Sequence, residues 1–230
     1  MQFIIEPTIS FAITVCNEHN ELNNLLSQLT SVVLKPADEI IILSDSSNVT
    51  SDVIKIITKY AGLYNNIKHI SKPLNNNFEK IKNNFIKNCT KDYIFQIDAD
   101  EELGVYLMLI HDILRENPEK DVFLVPRINT VSDLDPEYAK SIGWSVNYKQ
   151  FYEGLPIINW PDFQYRIFKN NSKIKWKGEV HEKIVGQESY TLIHDGNIEN
   201  IDSNRKFSLI HKKTFDRQKK QNEYYETFNK

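Results

Sequence analysis

The first hundred residues alternate between short, continuous apolar runs and segments with helical periodicity. Four β-rich runs occupy residues 9–15, 39–43, 67–70 and 93–97. Runs this short, without an apolar–polar alternation, are typical of strands buried on both faces of a parallel sheet. The segments between them carry apolar stripes at helical spacing: Leu22, Leu25, Leu26, Leu29 and Val33; Val53, Ile54, Ile57, Tyr60 and Ala61; and Phe78, Ile81, Phe85 and Cys89. The pattern predicts an α/β layer with right-handed crossovers. Ser51-Asp52 and 75–77 are candidate N-caps of the second and third helices.

The second half of the chain follows a different rhythm. A helix is predicted at 105–115 and a strand at 122–126, after which residues 129–160 are rich in turn formers and predict irregular structure. Residues 164–168 and 173–176 predict a β-hairpin around the turn at 169–172. We therefore expect residues 1–128 and 129–230 to form two functionally distinct halves of one domain.

Composition excludes several classes of protein. The chain has 230 residues, of which 40% are hydrophobic, which is enough for a sizeable core. Its seven glycines never stand within six residues of one another, so neither G-x-G-x-x-G nor a P-loop is present. Two cysteines exclude a disulfide scaffold and a cysteine-built zinc site. No apolar run approaches the ~20 residues of a membrane span, and we expect a cytoplasmic protein, or one of the host cytoplasm if the AT-rich composition reflects a viral origin.

Polar side chains collect where the predicted strands end. Asn17 and Glu18 follow the first strand, Asp45 ends the second, and the acidic run 98–102 (DADEE) follows the fourth. In an open α/β sheet, ligands bind at the carboxyl ends of the strands. Clustered carboxylates repel one another unless a cation lies among them, and Mg²⁺ or Mn²⁺ is the hard cation that oxygen ligands prefer. The alternative is a solvated acidic helix N-terminus.

The segments 13–18 (ITVCNE), 40–47 (IIILSDSS) and 92–101 (DYIFQIDADE), with Lys82-Asn83 before the last, resemble the family 2 glycosyltransferases of GT-A fold. Residues 164–168 (QYRIF) and 174–182 (IKWKGEVHE) more particularly resemble the lipopolysaccharide inner-core and SunS-like subgroup. The resemblance implies a GT-A-like, mostly parallel sheet flanked by helices, with an acceptor-side C-terminal portion that contains the hairpin. It covers residues 9 to about 200.

The resemblance also implies roles for individual residues. The chain would be an inverting enzyme in which a nucleotide-diphosphate sugar, with uridine as the expected base, binds beside Mn²⁺ or Mg²⁺. Donor contacts would come from Asn17, Glu18, Asp45, Asn83, Asp98 and Arg166. The metal ligands would be Asp100 and His194, and Glu182 would be the catalytic base.

Each assignment has a competing interpretation. Glu179 and Asp162 compete with Glu182 as the base, and His194 could instead be a core or turn residue. Arg166 could lie on a solvated strand face. The sequence predicts no role for His211.

The acceptor is the least determined part of the function. A glycan or glycolipid of the lipopolysaccharide type fits the resemblance, and hydroxymethylated bases of viral DNA are the alternative. Seven basic residues could contact an anionic surface or simply lie on a solvated helix: Arg205, Lys206, Lys212, Lys213, Arg217, Lys219 and Lys220. A metal-dependent nucleotidyltransferase and a catalytically silent sugar- or nucleic-acid-binding module are the rival functions.

Overall fold

The computed structural model describes residues 6–73, 78–178 and 183–226. This part of the chain contains strands and α-helices that alternate through its first half. The strands are β1 (Ile9–Val15), β2 (Glu39–Asp45), β3 (Ile67–Lys72), β4 (Tyr93–Asp98), β5 (Glu101–Leu103), β6 (Val122–Ser132), β7 (Val146–Tyr152), β8 (Leu155–Lys169), β9 (Lys175–Lys177), β10 (Lys183–Val185), β11 (Tyr190–Leu192) and β12 (Leu209–Thr214). The α-helices are α1 (His19–Gln28), α2 (Ser51–Leu63), α3 (Phe78–Ile86), α4 (Ile110–Glu116), α5 (Pro136–Ser141), α6 (Ile201–Asn204) and α7 (Phe215–Glu226).

One large sheet organises the molecule in the order β3-β2-β1-β4-β8-β6-β12-β5, with β11 paired to β6 and β7 paired to β8. The first four strands in that order are mutually parallel, as the short apolar runs predicted. β8 is antiparallel to both β4 and β6, so β6 runs in the same direction as β4. The carboxyl ends of β1, β2, β4 and β6 therefore lie along one edge of the sheet. The predicted α/β class is confirmed.

Both faces of β1, β2 and β4 are covered, which explains why these strands are apolar at successive positions, whereas β3 at the edge of the sheet is largely exposed. Phe11 and Ile13 of β1 belong to the core that Leu22 and Leu26 of α1 also enter. Ala12, the residue between them, belongs to a second core on the other face, together with residues of α3 and β9. Successive strand side chains point to opposite faces, so each face has its own apolar core.

The first predicted helical stripe continues beyond α1 as a π-helical segment, Leu29–Val33. The second helix is capped by Thr50, whose side chain accepts from the N–H of Val53, one position before the predicted Ser51-Asp52 cap. The predicted cap at 75–77 lies outside the described residues.

The region predicted to be irregular, residues 129–160, is regular for most of its length. β6 continues to Ser132, α5 follows an Asp135 cap, and β7 and β8 form an antiparallel pair. Of the turn formers responsible for the prediction, Asp133 and Glu153 lie in short connections and Asn159 lies within β8, and all three have positive φ. Cross-strand pairing in the large sheet overrides their local preference.

A C-terminal hairpin is present, but its strands differ from those predicted. β9 pairs with β10 in a separate two-stranded sheet, whereas β8 pairs with β4, β6 and β7. Residues 164–168 and 173–176 therefore do not form one hairpin. Trp176 is buried against Phe168 with their rings edge to face, which connects the two sheets by side-chain packing.

No helix within the described ranges 6–73, 78–178 and 183–226 has both the length and the apolar character that crossing a membrane requires.

Asp38, just before β2, holds the amino-terminal edge of the sheet together. Its Oδ1 accepts from the N–H of Ile9 at 2.8 Å, and its Oδ2 accepts from the N–H of Lys35 at 2.8 Å. The same Oδ2 lies 2.9 Å from Nε2 of His111 in α4. Asp38 is 2% exposed, so each of these groups would be left without a partner in a dry environment if the carboxylate were removed.

We expect Asp38→Ala to lower the free energy of unfolding by about 3 kcal/mol, because it leaves buried donors unsatisfied. Urea unfolding followed by circular dichroism measures this loss. Asp52→Ala, which removes an exposed ion pair with Lys55, is the control and should barely move the midpoint. Equal effects of the two substitutions would show that Asp38 has no special structural role.

Candidate functional site

Asp98 ends β4 at the edge of the sheet and is paired with a buried arginine. Nη2 of Arg166, on the neighbouring strand β8, lies 2.7 Å from Oδ2 of Asp98 and 2.5 Å from Oε1 of Glu101. The Arg166 side chain is 5% exposed and that of Glu101 is fully buried. The alternative of a solvated face for Arg166 is therefore wrong. The guanidinium neutralises two acids of the DADEE run.

Charge, burial and hydrogen bonding act in opposite directions on Asp98. Burial raises the pKa of its carboxyl, but the Arg166 charge and hydrogen bond, helped by Lys82, hold that pKa well below the usual range. Thr14 of β1 also donates to Oδ1 at 2.9 Å. The pKa of Arg166 is raised: its two acid partners outweigh the effect of its burial. Asp98 is thus an ionised carboxylate fixed by the sheet.

Asp100 faces a histidine, an arginine and a lysine, all from the C-terminal end of the chain. Its Oδ2 lies 3.3 Å from Nε2 of His211, 3.4 Å from Nη2 of Arg217 and 3.6 Å from Nζ of Lys213. Burial raises the pKa of Asp100, but these three neighbours together hold it well below its usual range. The pKa of Lys213 is lowered, because burial outweighs the attraction of Asp100.

A hydrogen-bond relay determines which nitrogen of His211 carries its proton. Nδ2 of Asn129 donates to Oδ2 of Asp162 at 2.8 Å, so the amide oxygen of Asn129 faces Nδ1 of His211 at 2.9 Å. An amide oxygen only accepts, and Nδ1 must therefore be the donor. A neutral ring would then direct the lone pair of Nε2 at Asp100, which is also an acceptor.

Two facing acceptors need a proton or a cation between them. Asp100 and His211 offer the carboxylate oxygen and imidazole nitrogen that a divalent cation such as Mn²⁺ accepts, and Asn129 supplies the outer hydrogen bond that metal-ligating histidines usually make. This pair therefore fits a metal. Within the described part of the chain, however, no group of three or more His, Cys, Asp or Glu side chains forms a complete protein cage, so the remaining ligands would have to come from elsewhere.

The other predicted rim residues lie at the ends of β1 and β2. Oε2 of Glu18 accepts from the N–H groups of Cys16 and Asn17 at 2.8 and 2.9 Å, and Oε1 lies 3.0 Å from Nη2 of Arg217. The Asn17 residue itself is exposed. Asp45 is buried, and its carboxylate accepts from the Ser47 N–H and the Asn48 amide of the following turn.

Asn83 is hydrogen-bonded to the backbone of β9. Its amide donates to the carbonyl of Trp176 at 2.8 Å and accepts from the Trp176 N–H at 2.9 Å. This two-way bond attaches α3 to β9. The donor contact that the resemblance implies for Asn83 stays a prediction.

His211 is the histidine that contacts Asp100, whereas the sequence predicted His194 for this place. His194 follows β11, which pairs with residues 122–124 of β6, and its Nδ1 accepts from the N–H of Gly196 at 2.9 Å. β12 pairs further along β6 and places His211 opposite Asn129. The metal-ligand role of His194 stays a prediction, and His211 is the histidine that the structure places 3.3 Å from Asp100.

The candidates for the catalytic base divide between described and undescribed parts of the chain. Glu179 and Glu182 lie outside the described residues. Asp162 is on β8, and both of its oxygens are engaged: Oδ2 by Arg127 at 2.9 Å and by Asn129, and Oδ1 by Gln164 at 2.5 Å. A substrate hydroxyl would have to compete with these donors for the oxygens of Asp162.

The basic C-terminal residues differ in burial: the side chain of Lys213 is 6% exposed, whereas those of Arg205, Lys212 and Arg217 are 48%, 37% and 32% exposed. Ion pairs within the chain engage four of the seven: Arg205 with Asp202, Lys212 with Glu102 and Glu153, Lys213 with Asp100, and Arg217 with Glu18, Glu21 and Asp100. The ammonium of Lys206 lies 5.5 Å from the centroid of the Tyr106 ring. Lys219 and Lys220 are exposed on α7. Contact of this segment with an anionic surface stays a prediction.

The model of the glycosyl transferase family 2 matches residues 10–173, well over half of the chain, and the chain belongs to this family. Among solved structures, S. aureus TarS 1–349 superposes with a TM-score of 0.55 at 13% identity, covering 82% of this chain and 58% of that one. S. aureus TarS 1–349 in complex with UDP-GlcNAc gives a TM-score of 0.51 at 12% identity, covering 84% and 61%. These likenesses establish the GT-A fold. No curated protein matches the chain in sequence.

The chain spans 58% of the length of TarS 1–349 and 35% of the longer S. aureus TarS structure, with which it shares 13% identity, a TM-score of 0.55 and 82% coverage of this chain. The family is thus established, while the lipopolysaccharide inner-core or SunS-like subgroup stays a prediction.

We expect Arg166→Met to destabilise the fold by about 3 kcal/mol at pH 7, because fully buried Glu101 loses its closest cation. In the unsubstituted protein, the pKa of Asp98 is lower in the folded state than in the unfolded state, where it is 3.8. The ionised carboxylate therefore stabilises the fold above pH 3.8, and this contribution is lost as the pH falls below that value. Without Arg166, burial raises the pKa of Asp98, so protonation favours the folded variant. The stability difference should therefore shrink on acidification, which urea unfolding at pH 7 and pH 4 measures. A difference that grows towards pH 4 would contradict the pairing.

Proposed function

We propose that this chain is an inverting, metal-dependent glycosyltransferase that moves a sugar from a nucleotide-diphosphate sugar to a hydroxyl acceptor. The observation that carries the proposal is the convergence of Glu18, Asp98, Asp100 and His211 on one edge of a GT-A sheet. Asp100 and His211 would hold Mn²⁺ or Mg²⁺, whose chemistry is to stabilise the charge on the departing nucleoside diphosphate.

Asp45 and Asp98 would orient the donor. Asp45 lies at the end of the second parallel strand, where the nucleotide of an α/β protein binds, and its carboxylate already orders the Ser47 turn that would border the base. Asp98 is kept ionised by Arg166, so it can accept hydrogen bonds from ribose hydroxyls. UDP is the donor nucleotide that the family resemblance favours.

Transfer with inversion needs one in-line displacement, and hence one base on the acceptor side. Glu182 would accept the proton of the acceptor hydroxyl as that oxygen attacks the anomeric carbon, because a carboxylate with a pKa of ~4.3 is too weak to deprotonate an alcohol beforehand. Asp162 is the weaker candidate, since Arg127, Asn129 and Gln164 already engage its two oxygens. A two-carboxylate glycosidase mechanism would need a second catalytic acid.

The acceptor is proposed to be a glycan or glycolipid, as the resemblance to the lipopolysaccharide inner-core subgroup suggests. Modified DNA is the less favoured acceptor, because nucleic-acid backbones are bound by unpaired cations, whereas four of the seven basic C-terminal residues have acidic partners within the chain. We propose that residues 1–128 bind the donor and 129–230 serve the acceptor, in the cytoplasm.

Asp100→Asn should abolish metal-dependent donor binding, because an amide replaces the charged ligand. Thermal shift with a panel of nucleotide sugars, in Mn²⁺ and in EDTA, measures this, since a ligand that binds only the folded state raises the melting temperature. Glu102→Gln is the matched control from the same acidic run, where Glu102 pairs with Lys212 instead. Donor-induced stabilisation that persists in EDTA, or in Asp100→Asn, would reject the metal role.

Glu182→Gln should retain donor and metal binding and lose at least ~100-fold in the rate of transfer, the lower range for removing a general base. Single-turnover transfer from a radiolabelled donor to a glycan acceptor measures the rate, and calorimetry measures donor affinity. Asp162→Asn, examined in parallel, distinguishes the candidates. If Asp162→Asn loses transfer and Glu182→Gln keeps it, the base is Asp162.

A further inference from the structure

Arg217, on the first turn of the C-terminal helix, is the cation that reaches furthest across the acidic edge. Its Nη1 lies 2.9 Å from Glu21 of α1, and its Nη2 lies 3.0 Å from Glu18 and 3.4 Å from Asp100. One guanidinium therefore joins the ends of β1 and β4, the two central strands of the donor half. Its side chain is 32% exposed, whereas that of Lys213 is 6% exposed.

The helix that carries Arg217 is anchored by contacts independent of the site. The ring of Phe215 packs edge to face on Tyr138 of α5, with centroids 5.1 Å apart, and Nδ2 of Asn222 donates to the Tyr138 hydroxyl at 3.1 Å. β12, immediately before it, is held in the sheet by β6 and β5. The helix therefore presents a charged side chain over the site from a fixed backbone.

The charge balance at this edge requires a cation for an incoming diphosphate. Glu18, Glu21 and Asp100 surround the space at the carboxyl ends of β1 and β4, and their negative charges repel phosphate. A metal on Asp100 and His211 would satisfy Asp100, which removes one of the three carboxylates that hold Arg217. Guanidinium groups bind phosphate through two parallel N–H donors, and the exposed part of Arg217 makes it accessible.

We propose that Arg217 is the protein's own ligand for the diphosphate of the donor, an inference that rests on the proposed function. In the donor-free state it pairs with Glu18, Glu21 and Asp100 and offsets part of the negative charge of the acidic edge. On donor binding its Nη2 exchanges Asp100 for phosphate oxygens, while Nη1 stays on Glu21. Lys213, nearly buried beside Asp100, stays in place as a fixed counter-charge.

Calorimetry with UDP and with uridine, each in Mn²⁺, isolates the phosphate contact, because uridine has the base and ribose but no phosphate. Arg217→Gln should weaken UDP binding about tenfold or more, the loss of one charge-assisted contact, and leave uridine binding unchanged. Arg217→Lys keeps the charge without the planar fork and should lie between the two. Lys219→Gln, an exposed site on the same helix, is the matched control and should bind like the unsubstituted protein. The melting temperature of each variant is measured as well, to detect any loss of stability.

The possible results distinguish a failure of the role of Arg217 from a failure of the proposed function. Equal UDP affinity in Arg217→Gln and the unsubstituted protein would overturn the role of Arg217 while leaving the donor site intact. Tighter UDP binding in the variant would overturn it too, and would show that Arg217 competes with the donor for the edge. Parallel loss of UDP and uridine binding with a lowered melting temperature would mean a structural role only. Failure of the unsubstituted protein to bind any nucleotide would instead reject the proposed function.

Discussion

The ion pair between Arg166 and the acids Asp98 and Glu101 is the interaction on which the rest of the site depends. A parallel sheet brings the carboxyl ends of its strands to one edge, and this sequence places acidic side chains at those ends. Glu101 is fully buried, and a buried carboxylate without a partner costs several kcal/mol. Since the side chain of Arg166 arrives on β8, the antiparallel neighbour of β4, folding of that strand and neutralisation of the acids are one event.

The same division of charge extends along the whole edge. The acids come from the first half of the chain, at the ends of β1 and β4, while Arg166, His211, Lys213 and Arg217 come from the second half. Each half alone would present uncompensated charge. Continuity of the sheet through β8, β6 and β12 brings the two sets together, which explains why the C-terminal segment is basic although the chain as a whole has a net charge of only −3.

Local sequence was sufficient for the parallel layer and insufficient for the strands that complete the site. The runs of β1, β2 and β4 are apolar at successive positions because both faces are covered, and that signal is contained in each segment. β12 reads Leu-Ile-His-Lys-Lys-Thr, which has only two apolar residues and resembles a basic tail. Its strand conformation comes from pairing with β6 and β5, whose paired residues lie 82 or more residues earlier, so the apolar pattern of the segment does not reveal it.

Long-range strand pairing also explains why the sequence did not predict a role for His211. His194 and His211 are residues of the same type in the C-terminal part of the chain, and family resemblance favoured His194. What distinguishes them is register: β12 sets His211 opposite Asn129, and the Asn129 amide is oriented in turn by Asp162 on β8. The one signal in the sequence is the spacing of His211 and Lys213, which are two residues apart and therefore lie on the same face of a strand. Both side chains do contact Asp100.

Cations of the chain already pair with the acids of this edge, and these ion pairs affect how a metal and a nucleotide would bind. A divalent cation adds two positive charges beside Asp100, and a diphosphate adds about two negative ones, so the pair together leaves the charge of the edge nearly unchanged. Either alone would disturb it: the cation would crowd Arg217 and Lys213, and the diphosphate would face Glu18 and Glu21. On the proposed function, metal and donor therefore bind with positive coupling, because each relieves the repulsion that the other creates. The guanidinium of Arg166 is buried and keeps its place, so Asp98 stays ionised while the metal and the donor bind.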